Sequence, residues 1–334
     1  MRWFTIFLVI VVMATGLFAQ KKYVIKFATL APERSTWMKV MRQFDADVRQ
    51  ATNNQVQFKI YPGGIQGDET DVLRKIRLGQ LHSAGFTGVG LGEILPEVRI
   101  LDAPMLFQNY DEVDYISQQL FDEFSQKFRQ KKFILLGWTE VGFVYVYSKK
   151  PIYNLTDLHH IKMWMWEGDP IAEATFKALG VSAIPLSVTD VRTSLQAGMV
   201  DAVYASPLAC LSLQWHSRIK YMIDVPLADA TGAVLISARM FNKLPPQFQK
   251  ILLEKGQYYM RRLVALSRED NRKATEAILQ GGVQRIQISQ EALQPFLEAG
   301  KKARWRLVGK LYPSELLERV ENMLAEYRAS KVNQ

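Results

Sequence analysis

The sequence predicts an α/β protein of two lobes tied together by one long helix. Three observations carry this. Apolar β-forming runs alternate with amphipathic helical stripes from residue 23 onward. The 334 residues exceed the usual size of one compact domain. Residues 245–280 have helical character almost without a break, on the order of 50 Å of helix, longer than one small lobe is wide.

In the first lobe, residues 23–30 (YVIKFATL) are a mostly apolar β-forming run, as expected of a strand covered on both faces. Trp37, Val40, Met41, Phe44 and Val48 then form a helical stripe. Strands are predicted at 56–60 and 83–87 with a helix at 68–78 between them, and Gly88-Val-Gly90-Leu-Gly92 reads as a glycine-rich turn. These glycines do not match a phosphate loop, because no Gly-x-Gly-x-x-Gly opens a helix and no Lys-Ser/Thr follows. Glycine at a strand's carboxyl end more often admits a ligand or another backbone. A helix over 111–131 and two separate extended runs, 133–138 and 143–148, complete this part.

Past Lys149-Lys150-Pro151 the same logic repeats. Strands are predicted at 161–166, 182–185 and 202–205, with helices at 170–179 and 189–196; Gly180 is a helix stop. After strand 227–237 and the long helix come a last strand at 283–288 and two terminal helices at 296–311 and 313–330. The lobes are placed at 22–142 with about 228–265, and at 143–227 with about 266–330.

At the N-terminus, Met1-Arg2-Trp3 followed by the uncharged apolar run 4–18 and Ala19 reads as an export signal covering residues 1–19. An uncleaved anchor is the alternative, although the run is short against the ~20 residues that span a bilayer. The single cysteine, Cys210, excludes an intramolecular disulfide and is read as a small buried hydrophobe rather than a catalytic thiol. The formal charge of +9 comes from scattered residues, with no run long enough for a nucleic-acid-binding arm.

For an enzyme, no Gly-x-Ser-x-Gly elbow is present, and His82, His159, His160 and His216 lack metal-ligand spacing. No catalytic residue, metal or cofactor is assigned. The stretch that stands out is 161–166, where Trp164 and Trp166 alternate and so share one face of a strand.

The order Tyr61-Pro-Gly-Gly, Arg77-Leu-Gly79-Gln, Gly137-Trp138, Lys149-Lys-Pro-Ile-x-Asn-Leu-Thr-Asp-Leu158, Ala178-Leu-Gly-Val-x-Ala-Ile-Pro-Leu186 and Leu195-Gln-Ala-Gly-Met-Val-Asp-Ala202 resembles the solute-binding proteins of tripartite ATP-independent periplasmic (TRAP) transporters. The resemblance implies a periplasmic-binding-protein-like fold with the long helix spanning both lobes, hinge closure over a small-molecule ligand, and a periplasmic location. It also implies delivery to an ion-driven TRAP membrane permease and, in some members, a tetratricopeptide-repeat partner.

The family pattern continues Gly-x-Lys-x-Arg, its arginine clamping a ligand carboxylate; here His160-Ile-Lys162-Met-Trp164 puts Trp164 at that position. A second family arginine corresponds to Val144, after Gly142-Phe143. Neither indole nor isopropyl replaces a guanidinium fork, and an unpaired buried carboxylate costs several kcal/mol. The expected ligand is therefore apolar or amphipathic, with a cation held over the aromatic rings as a weaker alternative. Expected ligand-binding residues are Val144, Trp164, Trp166, Met105, Phe107 and Tyr204, completed by Trp37, Gly88 and Ser206. A carboxylate binder with a non-standard site, and a scaffold that has lost its ligand, remain open alternatives.

Overall fold

A computed structural model describes residues 21–332, so the export signal read at 1–19 lies outside the described residues. The first lobe opens with β1 (Tyr23–Ala28), α1 (Thr36–Ala51), β2 (Val56–Tyr61), α2 (Glu69–Leu78), β3 (Ser83–Thr87) and α3 (Gly88–Ile94). A 3-10 segment (Pro96–Asp102), α4 (Tyr110–Gln119) and α5 (Phe121–Gln130) follow. The chain then runs along β4 (Phe133–Ser148) into the second lobe: α6 (Leu155–Leu158), β5 (Met163–Trp166), α7 (Pro170–Ala178), β6 (Ala183–Leu186), α8 (Val191–Ala197), β7 (Ala202–Ala205), α9 (Pro207–Ser212) and β8 (Tyr221–Ile223). It returns on β9 (Ala228–Ser237) and α10 (Ala238–Phe241), and ends with α11 (Pro246–Gln280), β10 (Gln284–Ile286), α12 (Gln290–Leu307) and α13 (Ser314–Val332).

The two lobes are continuous through β4. Its first half pairs antiparallel with β9, and its second half pairs with β7 and β8, so the strands run in the order β2-β1-β3-β9-β4-β7-β5-β6. The two runs expected at 133–138 and 143–148 form one continuous strand. It absorbs irregularities at Leu135/Gly137 and Glu140/Gly142, the second with Gly142 at φ +102°, and stays paired with β9 from Phe133 to Val144. The run 111–131 is likewise two helices with Leu120 between them, and α12 starts at Gln290, earlier than expected, because Ser289 caps it by accepting from the Ala292 amide.

Apolar clusters cover both faces of each lobe's sheet. Phe27, Phe44, Phe58, Met260 and Leu263 fill one face of the first lobe, and Phe86, Leu91, Phe124 and Phe128 fill the other. In the second lobe, Met163, Phe176 and Ile223 lie on one side, and Trp164, Cys210, Trp215 and Ile278 on the other. The long helix α11 packs on α1, on β4 and on α9, so it reaches from one lobe to the other. At the crossing Asn271 donates to the Val141 carbonyl at 2.8 Å and accepts from the Leu208 amide at 3.0 Å, tying β4 to α9. Helix α12 lies on α7 of the second lobe, and α13 returns to α4 of the first, with Tyr115 and Tyr327 stacked at 4.6 Å.

Where α11 presses on β4, its backbone comes close: a Cβ at Gly256 would sit 2.9 Å from the Leu136 carbonyl oxygen. Alanine in a helix interior normally gains about 1 kcal/mol over glycine. Here the clash with backbone reverses that, and Gly256→Ala is expected to cost about 1–3 kcal/mol. Thermal unfolding checks it: Tm falls by about 2–4 °C per kcal/mol lost, and an unchanged or raised Tm contradicts this packing.

Candidate functional site

The seam between the lobes is organised by a residue that sequence reading did not single out. Arg99, 5% exposed, points its Nε to the Asp102 carboxylate at 2.8 Å and donates from Nη2 to the Asp169 carboxylate at 3.1 Å. Asp102 belongs to the same first-lobe segment, while Asp169 caps α7 in the second lobe by accepting from the Ile171 amide. One guanidinium therefore bridges the lobes. Asp102 is held in place by the Thr231 amide of β9, which donates to it at 2.8 Å.

This cluster explains the glycine-rich stretch, and corrects its reading. Residues 88–94 form helix α3, not a turn. A Cβ at Gly88 would lie 1.8 Å from Asp102 Oδ2, and one at Gly92 would lie 3.1 Å from Arg99 Cγ, so the bare helix face makes room for the ion pair. The amides at the start of α3 are satisfied by Glu69, which accepts from Thr87 and Gly90, each at 2.7 Å.

From Asp169 the seam continues into aromatic side chains. The Asp169 amide donates to the Trp166 carbonyl, and the Trp166 amide donates to the Tyr204 phenol oxygen at 3.2 Å. Tyr204 stacks on Trp164 with centroids 4.9 Å apart, and Trp166 lies 6.4 Å from Trp164. Trp164 itself is 2% exposed, meets Trp215 edge-on at 5.2 Å and donates its indole N–H to the Leu186 carbonyl at 3.0 Å. Gly88, Trp164, Trp166 and Tyr204 are thus linked in one chain of contacts.

Met105 and Val144 meet through Leu227, whose carbonyl accepts from the Met105 amide and whose amide donates to the Val144 carbonyl. Met105 has φ +50° and its carbonyl, with that of Pro104, accepts from Arg304. Phe107 is buried in the same apolar cluster as Phe143. Ser206 caps α9 by accepting from the Ala209 amide. Trp37 stays within the first lobe, stacked 5.8 Å from Phe27 and pressed against Gly85. His159, His160 and Arg192 are exposed, and Cys210 is fully buried with its thiol pushed up to about 12 by burial. A surface depression of about 180 Å³ opens away from these residues, between α7 and α12, beside Lys177, Arg306 and Lys310.

Burial pushes the Asp102 carboxyl up to about 6, even with Arg99 beside it. The folded chain therefore keeps a proton there that an unfolded chain, titrating at the ordinary 3.8, has released. The stability this group contributes is greatest below about pH 4 and is lost as pH rises to about 6. In Asp102→Asn this loss is absent. The variant's Tm is expected to rise relative to the unsubstituted chain between these pH values, and a difference that does not change with pH contradicts the placement of Asp102.

The comparisons with known proteins agree with this architecture. The family described as bacterial extracellular solute-binding protein, family 7 (DctP), matches residues 27–307. A solute-binding protein of Sulfitobacter sp. (strain NAS-14.1) is 24% identical over 312 residues, covering 90% of this chain and 92% of that protein. The 2,3-diketo-L-gulonate-binding periplasmic protein of Escherichia coli is 24% identical over 250 residues, covering 73% of this chain and 75% of its own. Among solved structures, a TRAP periplasmic solute-binding protein of Ochrobactrum anthropi superposes with TM-score 0.84 at 21% identity, covering 93% of this chain and 97% of that one. One from Pseudomonas putida F1, with bound D-glucuronate, superposes with TM-score 0.81 at 22% identity, covering 89% and 96%. With its two lobes, its spanning helix and a match from Phe27 to Leu307, the chain belongs to family 7 of the bacterial extracellular solute-binding proteins.

Proposed function

We propose that this protein is the extracytoplasmic receptor of a TRAP transporter, exported by residues 1–19, that captures an apolar or amphipathic solute between its lobes and delivers it to an ion-driven permease. The family match supports the receptor role, and the structural neighbours support its TRAP type. A tetratricopeptide-repeat protein is a further partner that rests on the family resemblance alone.

The ligand class rests on one observation. At the position where the family pattern has its carboxylate-clamping arginine, Trp164 is stacked on Tyr204 and its only polar atom is engaged by Leu186. Arg99, the guanidinium nearest to these rings along the seam, is already met by two carboxylates. Relatives were solved with D-glucuronate, β-D-galacturonate and orotic acid, all of them acids. A solute acid entering this seam would meet Asp102 and Asp169 instead of a free cation, a like-charge encounter in a poorly solvated place. The scaffold alternative draws on the same bridge, since the protein's own residues join the lobes.

Native mass spectrometry of the protein purified without denaturation tests the reading. A co-purified, chemically unchanged solute with a large apolar part is expected. Trp166→Ala, at a half-buried ring, is expected to lower its retention about tenfold, corresponding to ~1.4 kcal/mol. Tight binding of D-glucuronate by the unsubstituted protein contradicts the ligand class, and the absence of any solute favours the scaffold.

A further inference from the structure

Asp229 is the anomaly of the seam. It is 1% exposed, on the strand that crosses between the lobes, and neither carboxyl oxygen has a hydrogen-bond partner among the described residues. Nearly every buried polar group in a folded protein is satisfied, and one left unmatched costs about 1–3 kcal/mol. Asp229 is therefore a group awaiting a partner.

Its surroundings define that partner. Asp229 lies directly opposite Phe143 in the β4–β9 ladder, so the two side chains share a face. The Phe143 ring packs tilted against Tyr110 with centroids 4.6 Å apart, and its amide donates to the Tyr110 hydroxyl oxygen. Two residues along, on the same face, the Thr231 hydroxyl donates to the Leu101 carbonyl, so this face looks onto the segment that carries Arg99 and Asp102. The charged groups around Asp229 are mostly acidic: Glu140 from β4, Asp114 from α4 and Asp102 from the 3-10 segment, with Arg268 of α11 as the local cation. Arg268 is committed, since it donates to both Asp114 and Glu140 and lies over the Tyr110 ring at 4.2 Å. Burial, then Glu140 and Asp102, raise the Asp229 carboxyl well above the ordinary carboxylate range.

Among the described residues of this seam, five carboxyls (Asp102, Asp114, Glu140, Asp169 and Asp229) gather with two guanidiniums, those of Arg99 and Arg268, and the Asp224–Arg285 pair near Tyr145 adds one of each. A ligand acid would worsen this imbalance, and a ligand cation corrects it. We propose that Asp229 selects the polar head of the solute, and that this head is a protonated amine carried on an apolar, ring-sized body. Opening of the lobes along β4 and β9 would admit the amine to Asp229, with the body against Phe143, Tyr110 and Tyr145, the last being two residues beyond Phe143 on the same face of β4 and within the field of Asp229. The ammonium then pairs with the Asp229 carboxylate and supplies the partner that its two oxygens lack among the described residues. This rests on the receptor reading above and specifies its ligand.

Two probes with nearly the same body and opposite charge test it: phenethylammonium and phenylacetate, titrated calorimetrically into the full-length protein. Phenethylammonium is expected to bind at least tenfold more tightly than phenylacetate. Asp229→Asn is expected to weaken phenethylammonium binding at least tenfold. Because Asn is isosteric with the neutral carboxyl, the variant alone should keep its circular dichroism and melt no lower than the unsubstituted chain, which separates lost binding from lost folding. Equal or tighter binding of phenylacetate, or an unchanged affinity in Asp229→Asn, overturns the proposal, as does failure of both probes to bind at millimolar concentration. Recovery of a neutral or acidic solute in the native mass spectrum overturns the amine while leaving the receptor role intact.

Discussion

A buried guanidinium cannot stand without compensating charge, and much of the seam between the lobes follows from that requirement at Arg99. The arginine comes from the first lobe and one of its two carboxylates, Asp169, from the second. To seat the group, α3 presents Gly88 and Gly92, and β9 fixes Asp102 with the Thr231 amide. Asp169 in turn caps α7 and lies one turn from the aromatic strand end, so the ion pair and the stacked rings of Trp164, Trp166 and Tyr204 are parts of one assembly. In this chain an acid of the protein meets the cation at the interlobe boundary.

The covalent connections set how the lobes are related. Strands β4 and β9 and helix α11 all cross between them, and of the two irregularities in β4 the one at Glu140/Gly142 lies where Asn271 fastens the helix to the strand. Arg268, one helical turn before Asn271, ties α11 to α4 and β4 by pairing with Asp114 and Glu140. The crossing is thus polar and well bonded on its α11 side, and it leaves Asp229 unpaired on the β9 strand. A hinge built this way bends at few places, because most of its backbone is held by ladder or helix hydrogen bonds.

Much of this was legible from the sequence, because periodicity reports burial. The stripe from Trp37 to Val48, the strand at 83–87 and the 35-residue helix all appear as read. The misread elements are those whose cause lies elsewhere in the chain. Gly88 to Gly92 has the composition of a turn, and only Asp102 and Arg99, folded back from the next segment, explain why a helix there needs glycine. The runs 133–138 and 143–148 read as separate until β9 is laid beside them. Alternation correctly paired Trp164 with Trp166, but Trp215 and Cys210 decide what Trp164 packs against, and no local pattern reveals them. Arg99 and Asp229 were missed, although each left the same signal: a single charge inside an apolar run, Val98-Arg-Ile-Leu101 and Leu227-Ala-Asp-Ala230.

The Arg99–Asp169 ion pair joins the lobes from within the protein, and closure without a solute acid is the expected consequence. Small-angle X-ray scattering of ligand-stripped protein, beside an Asp169→Ser variant that keeps the helix cap but is too short to reach Arg99, tests this most directly. The account predicts that the unsubstituted chain scatters as the closed form without added solute, and that the variant has a larger radius of gyration. An unsubstituted chain that is open when stripped, or a variant as compact as its parent, would contradict it.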